Sequence, residues 1–172
     1  PDLTAHALRA ALLWVDLTPP PHDQKLRRFC GRCMNYLASQ QQENGSWLPL
    51  WFGNQYDPAE VNALYGTSRV LRALEDAIAI APHDPGLRRM HKRGTQWLLQ
   101  QQHPHGGWGG LLPHQASLEE TSLALDALAT TLHDLTQQTG PALCGAINNG
   151  VAWLLEHSGL MGGEASFHPA PI

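Results

Sequence analysis

Two stretches of this 172-residue chain carry side chains that could do chemistry. Cys30-Gly31-Arg32-Cys33 is a CxxC, which is the spacing of half a tetrahedral zinc site. A structural zinc site needs a second pair of ligands, and Cys144 alone does not supply one. Three cysteines without a framework suit a reducing compartment. Cys30 and Cys33 therefore read as two small residues on one helix face, and the sequence calls for no metal and no cofactor. The other stretch, Gln101 to Gly110, reads QQHPHGGWGG. An indole ringed by glycines could hold a sugar or another flat ligand. A near copy, QQQENGSW, stands at Gln40 to Trp47, so the same arrangement recurs on the ends of equivalent segments. Recurrence favours a fastener over a binding site.

The elements that position these residues follow a helical period throughout, and no segment alternates as a strand does. Asp2-Leu3-Thr4 opens a first helix with a capping residue, and Leu8, Ala11, Leu12 and Val15 form its apolar stripe. Pro19-Pro20-Pro21 stops it. Asp23 can cap a second helix, in which Leu26, Phe29, Cys30, Cys33, Met34 and Leu37 recur at helical spacing up to Asn44-Gly45. A loop with Pro49, Gly53 and Pro58 follows. A third helix is expected from Ala59 to Ile80, with Leu64, Leu71 and Leu74 on one side. The stretch Pro82-His83-Asp84-Pro85-Gly86 breaks the chain before a fourth, from Leu87 to Gln101. A fifth begins after Ser117 with Glu119 and Glu120 in its first turn, where negative charge suits the helix dipole, and ends by Gly140-Pro141. A sixth runs from Ala142 to His157.

These helices form hairpins, and the hairpins repeat. With Trp47 set on Trp108, Gln41 falls on Gln102, Gly45 on Gly106, Tyr36 on Trp97 and Leu37 on Leu98, all 61 residues apart. A third copy keeps Trp153, Leu154 and Gly162, with Ser158 in place of Gln and Glu164 in place of Trp. The glycine permits a turn of positive φ, after which the Trp folds back. The Gln amide can then stack on the indole, or hydrogen-bond the exposed end of a neighbouring helix. The expectation is a clamp made by Gln41, Gly45 and Trp47, and again by Gln102, Gly106 and Trp108.

Arg93-Gly94-Thr95-Gln96-Trp97-Leu98, with Gln102, Gly106 and Trp108, resembles the QW motif of squalene-hopene and oxidosqualene cyclases. Arg32 to Trp47 resembles it too, with Cys33 where Gly or Ala is usual. Val61-Asn62-Ala63-Leu64-Tyr65-Gly66-Thr67 is similar to the VNxxYGT segment of squalene-hopene cyclases, and Asp2-Leu3-Thr4-Ala5-His6 to their DVTAH helix. The resemblance covers nearly the whole chain. It implies an all-α fold, an α/α toroid of helical hairpins, of which residues 1–172 form a C-terminal piece of about three hairpins. It implies acid-initiated cyclisation of squalene or a related polyprenyl chain. His6 matches a histidine that hydrogen-bonds the catalytic Asp, and Tyr65 a tyrosine near the same acid; Asn62 is a weaker substrate-binding candidate. The acid itself belongs to a DxDD motif, and this sequence has none: Asp126 and Asp134 stand alone. The expectation is a piece that is inactive by itself and belongs to a longer cyclase.

Composition narrows the partners. Eleven basic against fifteen acidic residues give a net charge of −4, and the basic residues are scattered, so nucleic acid is not expected. No apolar run approaches the ~20 residues of a spanning helix. The expected location is the cytoplasm, or the cytoplasmic face of a membrane touched through the full-length protein. Hairpins with bare apolar faces can also form a homodimer. Two other classes share helical hairpins. A protein prenyltransferase β-subunit needs converging Asp, Cys and His zinc ligands, and a partner-binding toroid of the complement type carries a GCxEQ thioester; neither set is present.

Overall fold

The computed structural model describes residues 1–53, 61–109, 116–131 and 140–159. Among them are six helices and no strand: α1 (Asp2–Val15), α2 (His22–Gln40), α3 (Ala63–Ile80), α4 (Pro85–Gln100), α5 (Leu118–Thr130) and α6 (Gly140–His157). Local chemistry sets several of these boundaries. Asn62 Oδ1 accepts the Tyr65 N–H at 3.1 Å, so α3 starts at Ala63 rather than at Ala59, which lies outside the described residues. Asp84 accepts from Gly86 and Leu87 at 2.8 and 3.1 Å, and Pro85 fits the first turn, so α4 starts inside the expected breaker. Ser117 accepts from the Glu120 N–H and donates to its carboxylate. The expected caps Asp2 and Asp23 instead lie inside α1 and α2. Asp2 uses its carboxylate to accept the Leu50 N–H at 3.1 Å, across the fold.

The helices form two layers. α1, α3 and α5 pack side by side as an inner layer, and α2, α4 and α6 each back onto the inner helix that precedes them. Two apolar cores fill the space between the layers. One joins Leu8 and Val15 of α1, Cys30, Cys33 and Leu37 of α2, Leu74 and Ala77 of α3, and Leu87 and Met90 of α4. The other joins Leu71 of α3, Trp97 and Leu98 of α4, Leu125 and Leu128 of α5, and Leu143 and Ala146 of α6. The α3–α4 hairpin thus contributes to both cores. This layered arrangement is that of an α/α toroid.

The repeated Gln, Gly and Trp tie these layers together. Gln41 Nε2 donates to Gly45 O in its own turn and to Met90 O of α4, both at 2.9 Å. Gln102 Nε2 repeats this with Gly106 O at 2.7 Å and Ala146 O of α6 at 2.8 Å. The acceptors lie inside the next outer helix, not at its exposed end. Arg93 strengthens the first clamp, donating to Gln42 O and Glu43 O at 2.9 and 2.8 Å. Both turn glycines have φ of 98°, and a Cβ there would sit 2.6 Å from Arg93 O or 2.5 Å from Asn149 O.

The clamp tryptophans Trp47 and Trp108 are fully buried, and each touches three helices. Trp47 Nε1 donates back to Leu37 O of α2 at 2.7 Å, and Trp108 Nε1 to Leu98 O of α4 at 2.8 Å. Their backbone N–H groups donate to Thr67 Oγ1 of α3 and Thr121 Oγ1 of α5 at 3.0 and 2.9 Å. Their rings lie on a glycine of the next outer helix. A Cβ at Gly94 would approach Trp47 Cζ3 to 2.8 Å, and one at Gly150 would approach Trp108 Cζ3 to 2.6 Å. Trp108→Ala is expected to lower stability by ~3–5 kcal/mol in urea denaturation. Thr67→Val, which strands a buried N–H, is expected to cost ~1–3 kcal/mol. An unchanged midpoint for either contradicts the clamp.

Candidate functional site

The inner helices share a second repeat. Thr4, Leu8, Arg9 and Ala10 of α1 align with Thr67, Leu71, Arg72 and Ala73 of α3, and Thr121, Leu125 and Ala127 of α5 follow the same frame. Thr67, Leu71 and Leu74 face the outer layer. The opposite side of α3, one turn apart, carries Tyr65, Arg69, Arg72 and Asp76, all partly exposed. This is the open face of the inner layer. In the shared frame His6 of α1 stands at the position of Arg69, and Leu123 of α5 does too.

The connections divide the molecule into two unlike ends. Inner-to-outer links at 16–21 and 81–84 are short, whereas the outer-to-inner links 41–62 and 101–117 are long, and described residues of both lie at the N-terminal ends of inner helices, where Trp47 meets Thr67 and Trp108 meets Thr121. Residues 47–52 are held there by three contacts. Trp47 bonds Thr67, Leu50 bonds Asp2, and Gly66 comes so close to Trp47 O and Pro49 that a Cβ would sit within 3 Å of both. The held segment displays apolar side chains: Trp51 is 84% exposed, Leu50 60% and Phe52 51%. Leu3, Leu48 and Val61 add to the same end.

Tyr65 sits where this loop meets the open face. Phe52 stacks on it with ring centroids 4.4 Å apart and planes 15° from parallel. The Arg69 guanidinium carbon lies over its ring, 5.1 Å from the centroid. Together these contacts fix the ring and add ~0.5–1.5 kcal/mol beyond area burial for the stack and ~0.5–1 kcal/mol for the cation. His6 is exposed on α1. Asn62, the third candidate, has its carboxamide oxygen on the Tyr65 N–H, so it positions Tyr65 through the backbone.

Deeper along the same face the groups become charged and paired. Arg9 meets Asp76 at 2.7 Å, linking α1 to α3, and Arg72 meets Asp126 at 3.2 Å, linking α3 to α5. Half-exposed pairs of this kind contribute ~0.2–1 kcal/mol each. Their larger effect is that Arg9, Arg72 and both aspartates present little net charge. Phe52 and the cap role of Asn62 escaped sequence reasoning, although the Asn62–Tyr65 spacing is a cap signature. Phe52 had no local signal, because only the fold brings it to Tyr65.

Cys30 and Cys33 lie side by side on α2 inside the first core and are buried. Burial raises both thiol pKa values, and for Cys30 the neighbouring Cys33 raises it further. They pack as small apolar residues. In the third copy of the repeat, Trp153 stacks on His157 at 4.2 Å, while Gly162 and Glu164 lie outside the described residues.

Comparison with known proteins agrees with this architecture. The family model described as the squalene-hopene cyclase C-terminal domain matches residues 2–168. Enfumafungin synthase of Hormonema carpetanum is 31% identical over 144 residues, 80% of this chain and 10% of that protein. Squalene–hopene cyclase of Zymomonas mobilis is 29% identical over 135 residues, 72% of this chain and 17% of that protein. Terpentedienyl-diphosphate synthase of Kitasatospora griseola is 34% identical over 98 residues, 57% of this chain and 17% of that protein. The chain thus spans a small part of the length of these relatives. With two helical layers, clamps on the outer one and a family match over nearly its whole length, the chain belongs to the squalene-hopene cyclase C-terminal domain family.

Proposed function

We propose that this chain forms part of the wall of a polyene cyclase, in which His6 and Tyr65 serve an aspartic acid supplied from outside these 172 residues. Squalene or a related polyprenyl chain is the substrate. Cyclisation starts when a strong acid protonates a terminal double bond, and the resulting carbocation is passed along the chain as rings close. His6, protonated and hydrogen-bonded to the acid, would lower the acid's pKa and orient its proton. Tyr65 would hold water at the same place, ready to return the proton.

The observation that carries this reading is the setting of Tyr65. It stands at the N-terminal end of the inner layer, fixed by Phe52, under a segment that offers Leu50, Trp51 and Phe52. An apolar, aromatic surface suits a hydrocarbon chain and excludes water from the reacting charge. The paired charges at Arg9–Asp76 and Arg72–Asp126 lie further along the inner face and leave that end free of them. The names of the curated relatives support the same class of chemistry. Among the described residues no helix is long and apolar enough to cross a membrane. An apolar substrate of this kind would be collected at a membrane surface, on the cytoplasmic side, through the full-length protein, with no part for nucleic acid.

In the full-length protein, His6→Ala is expected to lower kcat with squalene by about a hundredfold, within the range of acid–base contributions. Because His6 is exposed, its loss should change folding stability by no more than ~0.5 kcal/mol. Gas chromatography of products, set beside a urea melt, separates the two effects. Undiminished turnover in the His6→Ala protein contradicts its role.

A further inference from the structure

The three arginines on the open inner face are not alike. Arg9 and Arg72 each reach an aspartate on a neighbouring inner helix. Arg69 lies one turn nearer the N-terminal end of α3 than Arg72 and, among the described residues, has no carboxylate partner. Its Nε is buried without an acceptor, and its guanidinium rests on the ring of Tyr65, 5.1 Å from the centroid. Its charge is therefore uncompensated by any described carboxylate. It is also fixed in place, since Phe52 stacks on the tyrosine on which it rests.

A carbocation near Tyr65 would meet this charge at close range. The quadrupole of the tyrosine ring, which could have stabilised a substrate cation, already serves the guanidinium. With a polyene covering that apolar end, the repulsion would be screened less than at a free surface. We propose that Arg69 is a specificity-determining residue of the cyclisation, a fixed cation that keeps carbocationic charge from resting at the Tyr65 end of the site. The proposal rests on the functional reading above, which puts the initiating acid beside Tyr65. Charge created there by protonation is driven onward along the polyene, so early deprotonation to partly cyclised products is suppressed. In the shared frame the equivalent positions hold His6 and Leu123, so Arg69 is not a demand of the repeat.

The test uses the full-length protein with squalene, and reads products by gas chromatography with mass spectrometry. Arg69→Met removes the charge and keeps most of the length; Arg69→Gln does the same with a polar end; Arg69→Lys keeps the charge. Both neutral variants should raise the ratio of partly to fully cyclised products by about tenfold, the effect of a modest change in relative barriers. Arg69→Lys should stay near the wild-type ratio. A purely structural arginine would change melting temperature and total turnover but not this ratio. A cyclising wild type whose ratio stays within about twofold in both neutral variants overturns the proposal alone. A wild type that cyclises no polyprenyl chain, or that is indifferent to His6→Ala, overturns the reading beneath it as well.

Discussion

The structure depends on how one glutamine amide and one indole join helices that share little direct packing. Gln41 and Gln102 each span from their own turn to a carbonyl within the next outer helix. Trp47 and Trp108 then fill the angle between that helix and the inner layer. Each bonds its own outer helix by the indole N–H and the next inner helix by the backbone N–H. The glycine in the next outer helix completes the arrangement. Glycine within a helix costs ~0.5–1 kcal/mol relative to alanine. Gly94 and Gly150 carry that cost because the ring of the preceding repeat occupies the space of a Cβ. The middle repeat therefore supplies Trp108 forward and Gly94 backward, whereas the first holds Cys33 at the glycine position and the third Glu164 at the tryptophan position.

This fastening frees the inner helices for function. Because the outer layer and the clamps hold α1, α3 and α5 from behind, their opposite face need not be apolar. It is graded instead. Near the N-terminal ends, the 47–52 segment presents aromatic and aliphatic groups around Tyr65; beyond them lie two cross-helix ion pairs. The same connection that completes the first clamp also brings Phe52 onto Tyr65, so clamp and aromatic pair are consecutive parts of one loop.

Much of this was legible in the sequence. The helices follow from their 3.6-residue period, and the clamp from the coincidence of Gln, Gly and Trp in two copies. Sequence and structure part where competing local signals are close in strength. Asp2 reads as a cap but bonds Leu50 across the fold, and Pro85-Gly86 reads as a break but opens α4 behind Asp84. Thr67 and Thr121 could have been identified from the aligned inner helices, since a polar residue recurs at a position facing the core. The cause of the glycine at Gly94 and Gly150, an indole from the preceding repeat, Trp47 or Trp108, is purely tertiary. His6 and Tyr65 carried no signal of their own beyond family resemblance. Arg69 gained meaning only when its neighbours proved to be paired.

The indole-on-glycine contact joins one repeat to the next, and a double-mutant cycle between Trp108 and Gly150 measures it directly. Alone, Gly150→Ala places a methyl against the ring and should destabilise the protein by ~1–3 kcal/mol. In a Trp108→Ala background the obstruction is gone, and the same substitution should be neutral, or stabilising by up to ~1 kcal/mol through helix propensity. Equal cost of Gly150→Ala in both backgrounds would contradict the contact, and with it the claim that each repeat is fastened to the next by its tryptophan.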